Sequence, residues 1–262
     1  MISKKMMLHM ICIAVSAATA QVCADDSSAA QQSLTLGVGA RNAPVYSGSN
    51  QRRTQMVPVV QARDGAFFFD SLKGAGYNLQ SDNGLYLEHS LGYGLGRSDR
   101  DSNWRDGSDK LKGMGNIDAT AATAVTVGWM ATQWLSLEGK ATLPLSDGQG
   151  VRYATSATFI PLQDDSDSIA LQVSALFGDG RYMNTFYGVN DRQSTRSGYA
   201  RYRAAGGFYG VDSNLIWGHQ FTQHWGSAFS AGYTWLGDHA NESPIVFRRN
   251  QTTVAAAATY TF

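Results

Sequence analysis

The sequence predicts an all-β fold, a closed antiparallel transmembrane β-barrel, on three observations. Apolar and polar residues alternate along many short segments, the connections between segments alternate in length, and the chain ends in an aromatic strand. Beyond residue 24, no apolar run of about 18 residues is left for a spanning helix. Strands cross a membrane only by closing into a barrel that pairs every backbone group. The pattern therefore indicates the outer membrane of a Gram-negative bacterium.

The N-terminal segment, residues 1–24, has the features of a secretory signal peptide that is removed on export. Two lysines precede a short apolar run, and small residues follow it. Cleavage after Ala20 or after Ala24 fits the small-x-small rule, and we favour the second. Residues 25–262 are then expected to form a single barrel domain.

Composition argues against several kinds of site. Cys12 and Cys23 both fall in the predicted signal segment, so the mature chain has no thiol for a disulfide or a metal. Two of the 21 basic residues also lie in that segment, whereas all 21 acidic residues lie outside it. The mature chain therefore lacks the basic field that nucleic acid requires, and we expect no nucleic-acid partner.

Alternation with a period of two marks the strands. Along 117–129 the odd-numbered positions are mostly apolar, and along 135–145 the leucines share one face while Glu138 and Lys140 share the other. Charged residues need water, so Glu138, Lys140 and Arg152 are expected to line a polar lumen. Twelve strands are predicted, or ten if the third and fourth are not separate spans: 33–41, 55–63, 66–71, 76–81, 84–95, 116–129, 134–145, 150–161, 168–177, 205–220, 224–236 and 251–262.

The connections alternate in length, as they do in bacterial barrels with short periplasmic turns and longer extracellular loops. The short, turn-rich connections predicted to face the periplasm are 64–65, 82–83, 130–133, 162–167 and 221–223. Those predicted to face outside are 42–54, 96–115, 178–204 and 237–250, together with two short exceptions at 72–75 and 146–149.

Aromatic residues gather at the ends of the predicted strands. Tyr260 and Phe262 close the chain and resemble the terminal signal read by the barrel-assembly machinery, which is therefore an expected partner. Tryptophans near strand ends are expected to form girdles against outer-membrane lipid. These are Trp129, Trp134, Trp217, Trp225 and Trp235.

Four short motifs, in order along the chain, resemble those of the MltA-interacting protein (MipA)/OmpV family. Their residues are Tyr46, Gly48 and Ser49; Gly113, Gly115 and Asp118; Tyr182, Met183, Tyr187, Gly188 and Val189; and Ser243 and Pro244. The resemblance implies an outer-membrane barrel, and the best-known member of the family is a scaffold that links a lytic murein transglycosylase to a murein synthase. Other members resemble porin-like or adhesive proteins.

The first functional hypothesis is therefore a non-enzymatic scaffold for enzymes that synthesise and hydrolyse murein (peptidoglycan). A porin-like channel for small solutes, or a surface adhesin, is the alternative. A murein scaffold must present its contacts to the periplasm, where the predicted turns are short. Its candidate contacts are segment 25–32, the turns and the lower rim.

No catalytic, cofactor or metal site is predicted. His89 and Ser90 are neighbours on a strand and point to opposite faces, which disfavours a serine hydrolase. The acidic stretches 164–167 and 99–109 are expected to be solvated turns, because no loop motif orders them for calcium. Loop 178–204 is rich in tyrosine and arginine. We favour a role as a plug or in contact with lipopolysaccharide phosphates over a dedicated protein interface.

Overall fold

The structure is a computed structural model that describes residues 32–146 and 148–262. The predicted signal peptide, its two cleavage points and segment 25–31 lie outside the described residues. Within the described ranges, no helix is long and apolar enough to cross a membrane.

The described residues form mostly strands, with short helices confined to the long connections. A 3-10 helix spans Asp109–Leu111. The strands and α-helices are β1 (Gln32–Pro44), β2 (Arg52–Asp64), β3 (Phe67–Asp70), β4 (Gly74–Gln80), β5 (Leu85–Gly94), β6 (Arg97–Ser98), β7 (Asp106–Gly107), β8 (Thr120–Thr132), β9 (Leu135–Pro144), β10 (Arg152–Gln163), β11 (Asp167–Gly178), α1 (Gly180–Phe186), α2 (Asp191–Ser197), β12 (Gly207–Gln220), β13 (Trp225–Leu236), α3 (Asp238–Asn241) and β14 (Asn250–Thr261).

Twelve of these strands form one closed barrel, in which each strand pairs with its neighbours in sequence. The first and last strands close it antiparallel, with Leu36 opposite Tyr260 and Val38 opposite Ala258. The short strand β3 pairs with both β2 and β4, so it is a separate strand of the barrel. The prediction of twelve strands is therefore confirmed over its ten-strand alternative. Closure leaves no unpaired strand edge.

The two faces of each strand follow the predicted parity. Val38 and Val173 are 53% and 42% exposed on the outside, where lipid would cover them. Positions of the opposite parity carry polar side chains, including Glu88, Glu138 and Arg152, and face the lumen. An apolar exterior around a polar interior is the arrangement that a membrane barrel requires.

The predicted strand 116–129 is wrong at its start. The barrel strand β8 begins at Thr120, and Ile117 instead exchanges backbone hydrogen bonds of 3.0 and 2.8 Å with Arg97 in the preceding loop. Ile117 is 9% exposed, so its side chain packs within the loops rather than facing lipid. Ile117 has the same parity as the lipid-facing residues of β8, but it is apolar because it packs against other loop residues.

The two ends of the barrel differ as predicted. Turns of a few residues join the strands at the end that holds Thr261, and the long connections lie at the other end. Trp129, Trp134, Trp217 and Trp225 are about half exposed near the short turns. The remaining girdle candidate, Trp235, lies at the long-loop end, where the Arg249 guanidinium is 4.5 Å from its ring. In outer-membrane barrels the short turns face the periplasm.

Candidate functional site: the capped lumen

The long connections pack together over one mouth of the barrel. We call residues 45–51, 95–119, 179–206 and 237–249 the cap. Two clusters of buried side chains hold it, and both combine several connections. One contains Val45, Tyr46, Leu111, Met114, Val189 and Ile245, and the other contains Met183, Tyr187, Ala204, Tyr209, Leu236 and Ala240. The cap is therefore a packed unit with its own hydrophobic core.

Three of the sequence motifs meet inside this cap. The Tyr46 hydroxyl donates to the carbonyl of Ile245 at 3.1 Å, and the hydroxyls of Ser47 and Tyr187 lie 2.8 Å apart. Ser243 donates from its hydroxyl to the carbonyl of Tyr187. These contacts join positions up to 199 residues apart. Tyrosines and serines of the motifs thus connect three loops through buried hydrogen bonds.

Gly48 and Ser49 attach the first loop to the last strand. The Gly48 amide donates to Oε1 of Gln251 at 3.0 Å, and Nε2 of Gln251 donates to the Ser49 carbonyl at 3.1 Å. Gly48 has a φ of 98°, and a Cβ there would lie 2.7 Å from Cγ2 of Val246. Only glycine fits this position without strain.

The remaining motif residues are spread over the cap. A Cβ at Gly113 would lie 2.6 Å from the Arg196 carbonyl oxygen, and a Cβ at Gly188 would lie 2.5 Å from that of Asn184. Val189 pairs with Tyr202 through backbone hydrogen bonds. The other positions are placed as follows: Met183 is fully buried, Tyr182 and Pro244 are half-buried, the Gly115 amide donates to Asp99, and the Asp118 side chain is exposed.

The predicted assembly residues lie at the opposite end of the barrel. The Tyr260 ring is 4.9 Å from that of Phe262 and 5.1 Å from that of Trp225. The Phe262 amide donates to the Leu34 carbonyl at 2.9 Å. Their recognition by the assembly machinery stays a prediction.

A cavity of about 350 Å³ lies in the lumen beneath the cap. Arg97, Asp106 and Arg152 line it, and small residues such as Gly94 and Ala122 leave it open. A wider vestibule of about 1220 Å³ lies further out and is lined by Arg97, Arg181, Arg192, Arg201 and Arg203 together with Asp118 and Asp191. Arg97 and Gln149 line both spaces. The vestibule and the lumenal cavity are therefore adjacent spaces with polar linings.

Arg97 sits where the two spaces adjoin. It is 5% exposed, its Nη1 donates to the Phe186 carbonyl at 2.7 Å, and its guanidinium is 5.8 Å from the Tyr46 ring. Its buried Nε has no hydrogen-bond partner. Burial lowers the pKa of Arg97 and raises that of Tyr46, but a guanidinium remains charged at neutral pH. The site therefore holds a buried positive charge with an unused donor.

Asp106 is a carboxylate whose negative charge acts on Arg97. Burial raises its pKa, whereas Arg41, Arg53 and Arg97 act in the opposite direction. Arg41 and Arg53 come from neighbouring strands, β1 and β2, on their lumenal face. The positive charges of three guanidinium groups therefore act on one carboxylate.

A network of side chains narrows the lumen on the side of the short turns. The Tyr86 hydroxyl donates to the Glu138 carboxylate, and Nε2 of Gln172 donates to Oγ1 of Thr158 at 3.2 Å and to Oε2 of Glu138 at 3.4 Å. Gln172 and Thr158 are 3% and 2% exposed. We call Tyr86, Glu138, Thr158 and Gln172 the constriction.

Three of the described histidines and the acidic turn 164–167 have structural partners. His89 bonds to Thr123 at 2.7 Å, His219 to Asp167 at 2.9 Å and His224 to the carbonyl of Thr261 at 2.8 Å. Oδ1 of Asp164 accepts from the amides of its own turn. Among the described residues, no group of three or more histidines, cysteines or carboxylates is placed to hold a metal ion.

Sequence reasoning did not single out Arg97, Asp106, Gln149 or Gln251. None of the first three lies in a periodic segment, so no alternation marked them. Gln251 lies within a predicted strand, but its role depends on a loop about 200 residues earlier. The lumenal placement of Glu138 and Arg152 was predicted from parity, as was that of Lys140.

A closed barrel with an apolar exterior and a polar lumen defines an outer-membrane β-barrel protein. The profile of the MltA-interacting protein MipA family matches residues 36–262, and the chain belongs to that family. The predicted membership is confirmed. The match covers the whole described barrel apart from its first few residues.

Relatives agree with this location in the outer membrane. The protein YiaT of Escherichia coli O157:H7, whose name places it in the outer membrane, is 22% identical over 251 residues, which cover 90% of this chain and 94% of YiaT. YiaT of Escherichia coli strain K12 has the same identity and coverage. Among solved structures, the NanC porin has a TM-score of 0.45 at 10% identity, covering 87% of this chain and 98% of NanC. The COG4313 outer membrane channel from Pseudomonas putida F1 has a TM-score of 0.44 at 9% identity, covering 92% and 100%.

Proposed function

We propose that this barrel is a narrow, non-enzymatic channel for small polar solutes. The observation that carries the proposal is the pair of adjoining polar spaces, the vestibule and the lumenal cavity, which share the lining residues Arg97 and Gln149. We call the proposed path through these two spaces the route. Small polar solutes cross a membrane only where water or polar groups replace their hydration. A lumen lined by charged and amide side chains offers such groups.

The constriction sets the size of solute that this channel admits. Gln172 and Thr158 are almost completely buried, so neighbouring side chains cover them and narrow the lumen at their level. A twelve-stranded barrel has limited space once its side chains point inward. We therefore expect slow, size-limited passage rather than the free diffusion of a wide porin.

Solute flux into proteoliposomes tests the proposal. At Gly94, which lines the cavity, a Cβ would meet only the Thr120 carbonyl oxygen, at 3.7 Å. Gly94→Leu should therefore fill the cavity without straining the barrel. The matched control is Gly139→Leu, because Gly139 is exposed on the lipid face of β9 and a Cβ there meets nothing within 4 Å.

We expect arabinose to enter vesicles that contain the wild-type protein faster than it enters protein-free vesicles. Gly94→Leu should reduce that rate several-fold and Gly139→Leu should leave it unchanged. Equal rates for the wild type and the protein-free vesicles would contradict the channel, as would unchanged flux in Gly94→Leu.

The second candidate function is a scaffold for a lytic transglycosylase and a murein synthase. The observation in its favour is the match to the MltA-interacting protein MipA family. The contact surface would be segment 25–32, the short turns and the lower rim. The turn between β10 and β11 carries exposed, acidic Asp164 and Asp165, and it is the most charged of the short turns.

Capture of a purified lytic transglycosylase by the mature barrel tests this second candidate. Asp165→Lys should reduce capture several-fold, whereas Glu242→Lys, an exposed charge reversal in the cap, should not. The scaffold hypothesis fails if the wild-type barrel captures no enzyme, or if both variants behave alike.

A further inference from the structure

The lining of the route carries an excess of positive charge. Six arginines and three aspartates line the cavity and the vestibule together. One of the aspartates, Asp191, is paired with Arg201 at 3.1 Å. Another, Asp106, faces Arg41 and Arg53 as well as Arg97. The carboxylates therefore do not neutralise the route.

Two of the arginines lie in the deep cavity. Arg97 is held by Phe186 and Tyr46, and its buried Nε keeps an unused donor. Arg152 begins β10 on the lumenal face and is exposed there. A guanidinium fixed in the wall of the cavity and a second, accessible one in the same cavity can act on an anion from two sides.

We propose that the channel takes small organic or inorganic anions that carry a carboxylate or phosphate group, and that Arg97 and Arg152 form its anion-binding site. This inference rests on the proposed channel function. Arginines that line a narrow pore favour anions, because attraction is strong where little water screens it. The vestibule arginines raise the local concentration of anions at the mouth. The cavity of about 350 Å³ limits the ligand to a small molecule.

Binding of inorganic phosphate to the refolded full-length mature protein, in detergent free of lipopolysaccharide, tests the site without requiring conduction. We expect calorimetry to detect binding to the wild type. Arg152→Gln should weaken it at least about tenfold, because a charge-assisted hydrogen bond is lost. Arg152→Lys should retain part of the binding. Arg100→Gln is the matched control, since Arg100 is an exposed arginine of the same loop as Arg97 and lines neither space.

The zero-current potential across a bilayer in a KCl gradient provides the second measurement. We expect chloride to permeate faster than potassium through the wild type, and Arg152→Glu to shift the preference toward potassium. Phosphate binding without any conductance would support the anion site and overturn the channel. Conductance that prefers potassium, without phosphate binding, would support the channel and overturn the anion site. Equal phosphate binding by the wild type and Arg152→Gln would also overturn the anion site.

Discussion

Gly48 illustrates how single residues of the family motifs serve the cap. Its backbone has a φ of 98°, and its amide and carbonyl both bond to the segment 247–251. Gly48→Ala places a methyl group 2.7 Å from Val246. We expect a loss of about 1–3 kcal/mol in the free energy of unfolding, measured by denaturant titration in lipid vesicles.

The control for this substitution is Gly180→Ala. Gly180 is the first residue of α1, and a Cβ there would meet nothing within 4 Å. Alanine is the better helix former, so the free energy of unfolding should stay the same or rise by up to about 1 kcal/mol. Equal losses in the two variants would mean that Gly48 has no special place in the cap.

At the scale of one side chain, we expect Asp106 to make the anion preference depend on pH. Burial raises its pKa above the ordinary value of 3.8. As the pH falls below neutral, Asp106 takes up a proton at a higher pH than an ordinary aspartate does, and one negative charge leaves the cavity that Arg97 and Arg152 line. Anion preference should therefore rise as the pH falls, as measured by the zero-current potential.

Asp106→Asn isolates this effect from other carboxylates. The variant should show, at neutral pH, the stronger anion preference that the wild type reaches only in acid. A pH dependence identical in the wild type and Asp106→Asn would exclude Asp106 as its source.

At the scale of the element, a substitution in β11 tests where the membrane lies along the barrel. Val173 lies at the middle of this strand on the lipid face and is 42% exposed. Val173→Arg places a charge near the centre of the bilayer, and we expect the free energy of unfolding in vesicles to fall by about 2–4 kcal/mol.

The matched substitution is Leu145→Arg. Leu145 is 62% exposed and follows the last residue of β9 at the long-loop end, near the membrane boundary. The expected loss there is about 0–1 kcal/mol. Similar losses at both positions would contradict the depth assigned to the barrel.

The second prediction at the scale of the element concerns the stability of helix α2. Its capping box joins Asn190 and Gln193, and Nε2 of Gln193 also donates to the Met114 carbonyl at 2.9 Å. Asn190→Ala should destabilise the helix by about 1 kcal/mol, so that amides of 191–197 exchange hydrogen about fivefold faster. Thr195→Ala, an exposed change in the same helix, should leave exchange nearly unchanged.

For the whole molecule, the sequence predicted the barrel well because alternation is a local property. A strand with one face toward lipid and one toward the lumen must alternate, whatever its neighbours are. The pattern in 135–145 therefore identified β9, and it assigned Glu138 and Lys140 to the lumen. Short β3 was predicted with less support, since four residues contain little alternation.

The cap could not be predicted in the same way. Its contacts join loops that are distant in sequence, such as Tyr46 with Ile245, and no period relates them. Tyr46, Met183 and Ser243 belong to the motifs that resemble the family. The motifs did not indicate that these side chains are buried in the cap rather than exposed to a partner. Ile117 was assigned to a strand because loop packing also selects apolar residues.

Single-channel conductance in planar bilayers tests the central claim, that the polar lumen conducts through a constriction. The variants are Tyr86→Ala, which removes a ring that lies over Gly128, and Tyr86→Phe, which keeps the ring and removes the hydroxyl. We expect small steps in the wild type, similar or slightly larger steps in Tyr86→Phe, and steps several-fold larger in Tyr86→Ala. Silence in all three proteins, or equal steps in the wild type and Tyr86→Ala, would contradict the claim.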